Sequence, residues 1–187
     1  IFWNYVLRFR WKRGVWGDWL DAQQKPFGES ISGATPYASL PVPRPARYSA
    51  DVTALVKRWQ TNGENRGFYL RMRGNDFSVQ FTGRTGASVA DRPKLQVTTT
   101  TGSFSLDARC NASWAVTSNY PIIKSDAWSL SSKVPAILQF ELNQVSGTIT
   151  QAVLSFSDVS HQAGSTSANG VIDIFEADPP RFVVPDQ

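Results

Sequence analysis

Arginines and aromatic residues recur together on the segments of this chain that are most suited to form strands. Arg8 and Arg10 belong to one alternating segment, and Tyr69, Arg71 and Arg73 share the same side of another. Tyrosine and tryptophan faces stack on sugar rings, and guanidinium groups pair with carboxylates. If these strands are neighbours, the arginines form a patch suited to a polymer of uronic acids. The alternative is that they are ordinary solvated strand residues. The candidate ligand-binding residues are Arg8, Arg10, Trp16, Trp19, Tyr69, Arg71 and Arg73.

The sequence carries no recognisable catalytic motif, so we predict no catalytic residue and a protein that is not an enzyme. The single histidine, His161, is expected in a polar loop and has no nucleophile at a recognisable spacing. The single cysteine, Cys110, excludes an intrachain disulfide and a thiolate metal cluster. Two enzymatic alternatives stay open. Asp18 and Asp21 could serve as a carboxylate pair, and a polysaccharide lyase could use Tyr69 and Arg71.

The sequence contains few residues that are spaced as metal ligands usually are. Asn75, Asp76 and Asp158 are the oxygen donors that could bind a structural calcium ion, and none belongs to a dense set of ligands. We therefore predict no cofactor and no metal site, with a structural calcium ion left open.

The alternation of apolar and polar residues predicts an all-β protein, a jelly-roll-like antiparallel β-sandwich or pair of sandwiches. Period-two segments cover the first thirteen residues and much of the chain from residue 67 to 176. Residues 21–50 hold five prolines and are expected to form a long ordered loop. Residues 51–60 are the one helical candidate, since Val52, Leu55, Val56 and Trp59 have helical spacing; Asp51 or Ser49 is expected to cap its start.

Charge divides unevenly along the chain, whose formal net charge is +4. Residues 1–98 contain 15 Lys and Arg against 7 Asp and Glu, whereas residues 99–187 contain 4 against 8. The change coincides with the low-complexity stretch at residues 98–103. We therefore predict a basic β-sandwich module at residues 1–99 and a second β module or half-module at residues 100–187. The alternative is a strand end and a turn within one domain.

Three ordered pieces, DVTALVKRW, NRGFYLR and RPKLQV between Asp51 and Val97, resemble the C-terminal half of DNRLRE-type modules. Those modules are similar to carbohydrate-binding module family 96 and to disaggregatase-related repeats. AILQFEL, ITQAVLSF and GVIDIF, between Ala136 and Phe175, resemble the N-terminal half of the same kind of module. The segment FTGRTG departs from the family pattern. The inverted order fits either parts of two tandem modules or one permuted sandwich.

The resemblance implies a jelly-roll-like sandwich that is secreted or at the cell surface, attached to a larger parent chain. For several such modules it also implies binding to acidic polysaccharides such as alginate. Our leading hypothesis is a non-catalytic extracellular module that binds acidic polysaccharide or supports an attached catalytic domain. The alternatives are a structural subunit of a surface assembly, in which strand edges pair with neighbours, and the lyase. We predict no nucleic-acid partner, because no such motif accompanies the charge, and no membrane span, because no long apolar run is present.

Overall fold

The computed structural model describes residues 19–24, 26–27, 33–43, 46–73, 77–113, 126–131, 134–163 and 170–177. Over these residues the backbone forms twelve strands, one α-helix and one short 3-10 helix. The first six strands are β1 (Trp19–Leu20), β2 (Pro26–Phe27), β3 (Ala38–Val42), β4 (Arg47–Asp51), β5 (Phe68–Arg73) and β6 (Phe77–Thr82). The others are β7 (Lys94–Thr99), β8 (Ser103–Ser113), β9 (Ala127–Ser131), β10 (Ala136–Phe140), β11 (Ile149–Ala163) and β12 (Gly170–Ala177). The helices are α1 (Thr53–Asn62) and the 3-10 helix Val89–Asp91.

Every strand pairing in the described residues is antiparallel. The predicted all-β, sandwich-like fold with one short α-helix is therefore confirmed. A first sheet has the order β2–β1–β12–β5–β10–β8, and β3 also pairs with β12. A second sheet joins β8, β7, β11 and β4, and the far end of β11 pairs with β6, which pairs with β9. The long strands β8 and β11 each belong to more than one of these layers, and the register of β11 shifts between Asp158 and Ser160.

The main core lies between these layers, because the alternating strands turn one apolar row inward. Phe68, Leu138 and Ile174 come from the first sheet, and Leu95 and Leu154 come from the second. Aromatic rings fill the end near β6, where Phe81 and Trp128 stack with ring centroids 4.4 Å apart. A second, smaller apolar cluster consists of Tyr69, Ile137, Phe175 and Ala177.

The helix α1 forms where the sequence predicts one, but it begins and ends two residues later. Asp51 is the last residue of β4 and Val52 is the N-cap, so neither predicted cap occupies that position. Asp51 still contributes, because its Oδ1 accepts a 2.8 Å hydrogen bond from the backbone N–H of Thr53. Gly63, with φ 68°, ends the helix.

Side chains of α1 bind the backbone at the start of β11. The Ala152 N–H donates to Oγ1 of Thr53 over 2.9 Å, and the Ile149 N–H donates to Oε1 of Gln60 over 3.1 Å. Gln60 also donates to the Gly147 carbonyl over 2.8 Å. The helix therefore takes the place of a neighbouring strand along this stretch and covers the strand edge.

Two predicted loops are wrong in part. The segment from residue 21 to 50 contains β2, β3 and β4, because its prolines leave short runs that can pair. Within β3, Pro41 is tolerated because the described part of the chain pairs this strand with β12 alone, as expected for an edge strand. The predicted polar loop from His161 also begins later, since β11 continues to Ala163 by pairing with β6.

The predicted boundary near residue 99 does not separate two sheets. Residues 98–103 contain the end of β7, a turn at residues 100–102 and the start of β8, and the Thr99 N–H donates to the Gly102 carbonyl over 2.8 Å. Strands from before this point pair with strands from after it: β5 pairs with β10 and β12, and β4, β6 and β7 pair with β11. In the described residues the sheets therefore combine strands from both of the predicted modules, 1–99 and 100–187.

Across the described part of the chain, no helix combines the length and the apolarity that crossing a membrane requires.

Candidate functional site

The predicted ligand-binding residues divide into those inside and those outside the described part of the chain. Arg8, Arg10 and Trp16 lie outside it, as does the aromatic strand predicted for residues 1–13. Trp19 lies in β1, where its backbone pairs with Ala177. Only Tyr69, Arg71 and Arg73 have described side chains, and all three are on β5.

Arg71 and Arg73 lie on the face of β5 that is opposite to the main core, beside a buried carboxylate on β12. Arg71 is the register partner of Asp173, and Arg73 is the partner of Val171. The Nη2 of Arg73 donates to Asp173 Oδ1 over 2.9 Å, and its Nε donates to Oδ2. Ser39 on β3 also donates to Asp173, over 2.6 Å. We call Ser39, Arg71, Arg73 and Asp173 the arginine face.

The arginine face holds Arg73 in position and leaves it accessible. The Asp173 side chain is 3% exposed, whereas that of Arg73 is 52% exposed. Hydrogen bonding to Asp173 raises the pKa of Arg73 above its already high value, so the guanidinium remains charged. A buried carboxylate thus fixes two N–H groups of an exposed cation.

The predicted exposure of Tyr69 is wrong. This residue is 4% exposed and belongs to the smaller apolar cluster, where its ring centroid is 6.4 Å from that of Phe175. Period two correctly places Tyr69 on the same side as Arg71, but that side is also buried at this level of the strand. The ring therefore offers no open face for a sugar to stack on, and it does not suit the lyase role considered for it.

A second polar cluster, which the sequence analysis missed, surrounds Glu176 on β12. Glu176 is 1% exposed and accepts hydrogen bonds from Trp59 Nε1 over 2.9 Å and from Gln24 Nε2 over 3.2 Å. Arg58 forms an ion pair with its Oε2. Gln24 also donates to the hydroxyl of Tyr37 over 2.6 Å. We call Gln24, Tyr37, Arg58, Trp59 and Glu176 the Glu176 network.

One signal in the sequence points to Glu176. The alternation Ile172, Ile174, Glu176 puts the carboxylate on the core-facing side of its strand, where a charge must have partners. The partners lie on α1 and on segments before β3, and nothing in the local pattern identifies them. Asp21, once considered for catalysis, is buried and accepts backbone N–H groups from Gln23 and Thr35 over 3.0 and 3.2 Å.

The Glu176 network contains a phenol with a raised pKa and a residue with an unusual backbone conformation. Burial and the Glu176 carboxylate raise the pKa of the Tyr37 phenol above its usual value of 10.0, against the opposing effect of Arg58 and Gln24. The phenol therefore stays protonated near neutral pH and does not suit the role of a base. Gln24 has φ 63°, the single non-glycine residue in the left-handed region among the described residues. Such strain occurs where surrounding contacts hold it.

At least five of the ten described Lys and Arg side chains form ion pairs with carboxylates. Lys and Arg are as numerous there as Asp and Glu. Beyond the two sites above, Arg66 pairs with Glu64, Lys94 with Asp107 and Arg109 with Glu141. The described residues taken together therefore carry no net formal charge.

The described residues contain no group of three or more His, Cys, Asp or Glu side chains placed to hold a metal ion. Of the oxygen donors considered for calcium, Asp158 lies in β11 at its register shift, and Asn75 and Asp76 are outside the described part.

Protein-family models, curated proteins and solved structures were all compared with the chain, and none of them matches it. The resemblance to DNRLRE-type modules stays a prediction.

Proposed function

We propose that this chain is a non-catalytic extracellular module that binds an acidic polysaccharide, such as alginate, at the arginine face. The observation that carries the proposal is the placement of Arg71 and Arg73 around the single buried carboxylate of Asp173. The exposed guanidinium of Arg73 is held rigid there by its two hydrogen bonds to Asp173. A rigid guanidinium loses less rotamer freedom when it pairs with a uronate carboxylate.

The alternative of a surface assembly built by strand pairing is less well supported by the described residues. Pro41 removes a backbone donor from β3, and α1 covers the edge of β11 at Ile149–Ala152. Both features hinder the addition of a strand from another chain. The lyase alternative loses Tyr69 as an accessible group.

Retention on immobilised alginate, measured as the NaCl concentration that elutes the protein, tests the proposal. Arg71→Gln should elute at lower salt than the wild type. Arg109→Gln is the matched control: it removes the same charge from a cation paired with exposed Glu141 and should elute closer to the wild type. Equal shifts in the two variants would mean unspecific attraction and would contradict the proposal.

A charge-neutral pair of substitutions gives a sharper test. Arg73→Ala would leave Asp173 buried without its ion-pair partner, so loss of binding could reflect misfolding. Arg73→Gln combined with Asp173→Asn removes one charge of each sign and keeps polar groups at both positions. Because a charge-assisted hydrogen bond contributes about 1.5–3 kcal/mol, we expect roughly 10- to 100-fold weaker alginate binding at unchanged net charge. Binding equal to that of the wild type would contradict the role of Arg73.

A further inference from the structure

We infer that the Glu176 network presents Tyr37, Arg58 and Gln24 as a binding site for the hydroxyl groups of an uncharged sugar ring. This site lies where α1 meets β12, and it uses none of the residues of the arginine face.

The base of the site is built rigidly. Glu176 is almost completely buried, and its two carboxylate oxygens accept from three side chains: Trp59 and Arg58 on α1, and Gln24 in the turn after β1. These contacts fix the guanidinium of Arg58 and the amide of Gln24. The Arg58 side chain is still 27% exposed. A site that is organised before the ligand arrives loses little conformational entropy on binding.

Tyr37 supplies a hydroxyl proton for a ligand. Its oxygen accepts a 2.6 Å hydrogen bond from Gln24, and the nearby Arg58 guanidinium acts to lower the pKa of the phenol. A phenol can donate one hydrogen bond as well as accept. The Tyr37 residue as a whole is half-buried. The polar groups that the site offers to a ligand are the Tyr37 hydroxyl, the remaining guanidinium donors of Arg58 and the amide oxygen of Gln24.

The charges of the network select the class of ligand. The cation of Arg58 is compensated by Glu176, and the neighbouring carboxylate of Asp21 accepts backbone N–H groups. No net positive charge is left to attract an anion. Adjacent sugar hydroxyls, which both donate and accept, match this neutral set of donors and one acceptor.

The backbone of Gln24 is a separate observation that singles out this site. At φ 63° the residue is in a conformation that glycine or asparagine adopts more readily. The side chain of Gln24 reaches three acceptors, namely Tyr37, Glu176 and the Asp21 carbonyl. Local strain that is held by such contacts is typical of positions with a functional constraint.

Binding of alginate and of carboxyl-reduced alginate, which has hydroxyls but no charge, tests the inference by isothermal titration calorimetry. Tyr37→Phe removes the hydroxyl and keeps the ring, and we expect roughly 2- to 10-fold weaker binding of both polymers. Gln24→Asn introduces a residue that tolerates positive φ but has a shorter side chain, and it should weaken the binding of both polymers to a similar extent. Lys57→Ala, at an exposed position beside Arg58, is the control and should bind the reduced polymer like the wild type.

The outcomes separate this site from the arginine face. Wild-type affinity of Tyr37→Phe and Gln24→Asn for the reduced polymer would overturn the inference. So would failure of the wild type to bind that polymer, and if alginate still bound, the arginine-face proposal would stand alone. A third outcome is that the reduced polymer binds in a way that depends on Tyr37 and that alginate binds no more tightly than the reduced polymer. This outcome would support the inference and overturn the proposal for the arginine face.

Discussion

The indole Nε1 of Trp59 donates a 2.9 Å hydrogen bond to Oε1 of Glu176, across 117 residues of sequence. Both groups are buried, so the bond joins α1 to β12 inside the protein. The same helix presents Arg58 to the other carboxylate oxygen. A ten-residue helix would be marginal alone in water, and these contacts, with the burial of Leu55, Val56 and Trp59, hold it on the sheets.

Replacing Glu176 should destabilise the protein strongly. Glu176→Gln keeps an oxygen for Trp59 but removes the charge that Arg58 neutralises, and it places an amide among donors. Breaking a buried ion pair typically costs about 3–5 kcal/mol; because Arg58 can still reach water, we expect about 2–4 kcal/mol. Urea unfolding measures the change. Glu141→Gln, in the exposed pair with Arg109, should cost below about 1 kcal/mol. Similar losses for the two variants would contradict a structural role of the network.

Gly147 should be sensitive to a single added methyl group. Its φ is 80°, and a Cβ there would lie 2.7 Å from Thr101 Oγ1 and 2.9 Å from Thr100 Oγ1. Gly63 has a similar φ of 68° with open space around it. We therefore expect Gly63→Ala to cost about 1–2 kcal/mol from backbone strain alone and Gly147→Ala to cost more. Thermal unfolding of the two variants measures their stability. An equal loss of stability would show that Thr100 and Thr101 move away from the added methyl group at little cost.

The protection that α1 gives to the edge of β11 should depend on Thr53. Thr53→Val has nearly the same shape but leaves the N–H of buried Ala152 without its acceptor, at a cost of about 1–3 kcal/mol. Hydrogen exchange at the Ala152 amide should also become faster. Thr61→Val is the control. The Thr61 hydroxyl donates to the Lys57 carbonyl within α1 at an exposed position, so its loss should leave exchange at the Ala152 amide unchanged. Unchanged exchange in Thr53→Val would mean that the helix does not protect this edge.

The contribution of Asp51 to stability should vanish in acid. Hydrogen bonds from the Thr53 hydroxyl and N–H lower the pKa of Asp51 below its usual value of 3.8. A carboxylate with a lowered folded-state pKa contributes fully above the unfolded value and loses its contribution as the pH falls through the folded value. Asp51→Ala should therefore cost about 1 kcal/mol at pH 7 and progressively less below about pH 3.8. Urea unfolding from pH 7 to pH 2.5 measures this.

The exposed turn before β9 offers a control for that experiment. Asp126→Ala removes a carboxylate from an exposed position outside the helix. Its effect should stay small at every pH in the series. A difference between wild type and Asp51→Ala that grows in acid would contradict the proposed hydrogen bonding of Asp51.

Local pattern was sufficient for most elements. The alternation of Phe77, Val79 and Phe81 predicts β6, and the helical spacing of Leu55, Val56 and Trp59 predicts both α1 and its buried face. These succeed because periodicity reflects which side chains a single element buries. The segment from residue 21 to 50 was harder, since its prolines conceal two five-residue strands that form through partners on β11 and β12.

The sequence by itself determined the fold class, the helix and the strand that carries Arg71 and Arg73. Tertiary structure decided which polar groups meet. Asp173 lies 100 residues from Arg73, and Glu176 lies 118 residues from Arg58. Tyr69 and Arg71 share one side of β5, yet the ring is buried and the arginine is partly exposed. Period two assigns a residue to a face, but the burial of that face and the partners of a buried charge depend on strand order, which long-range pairing sets.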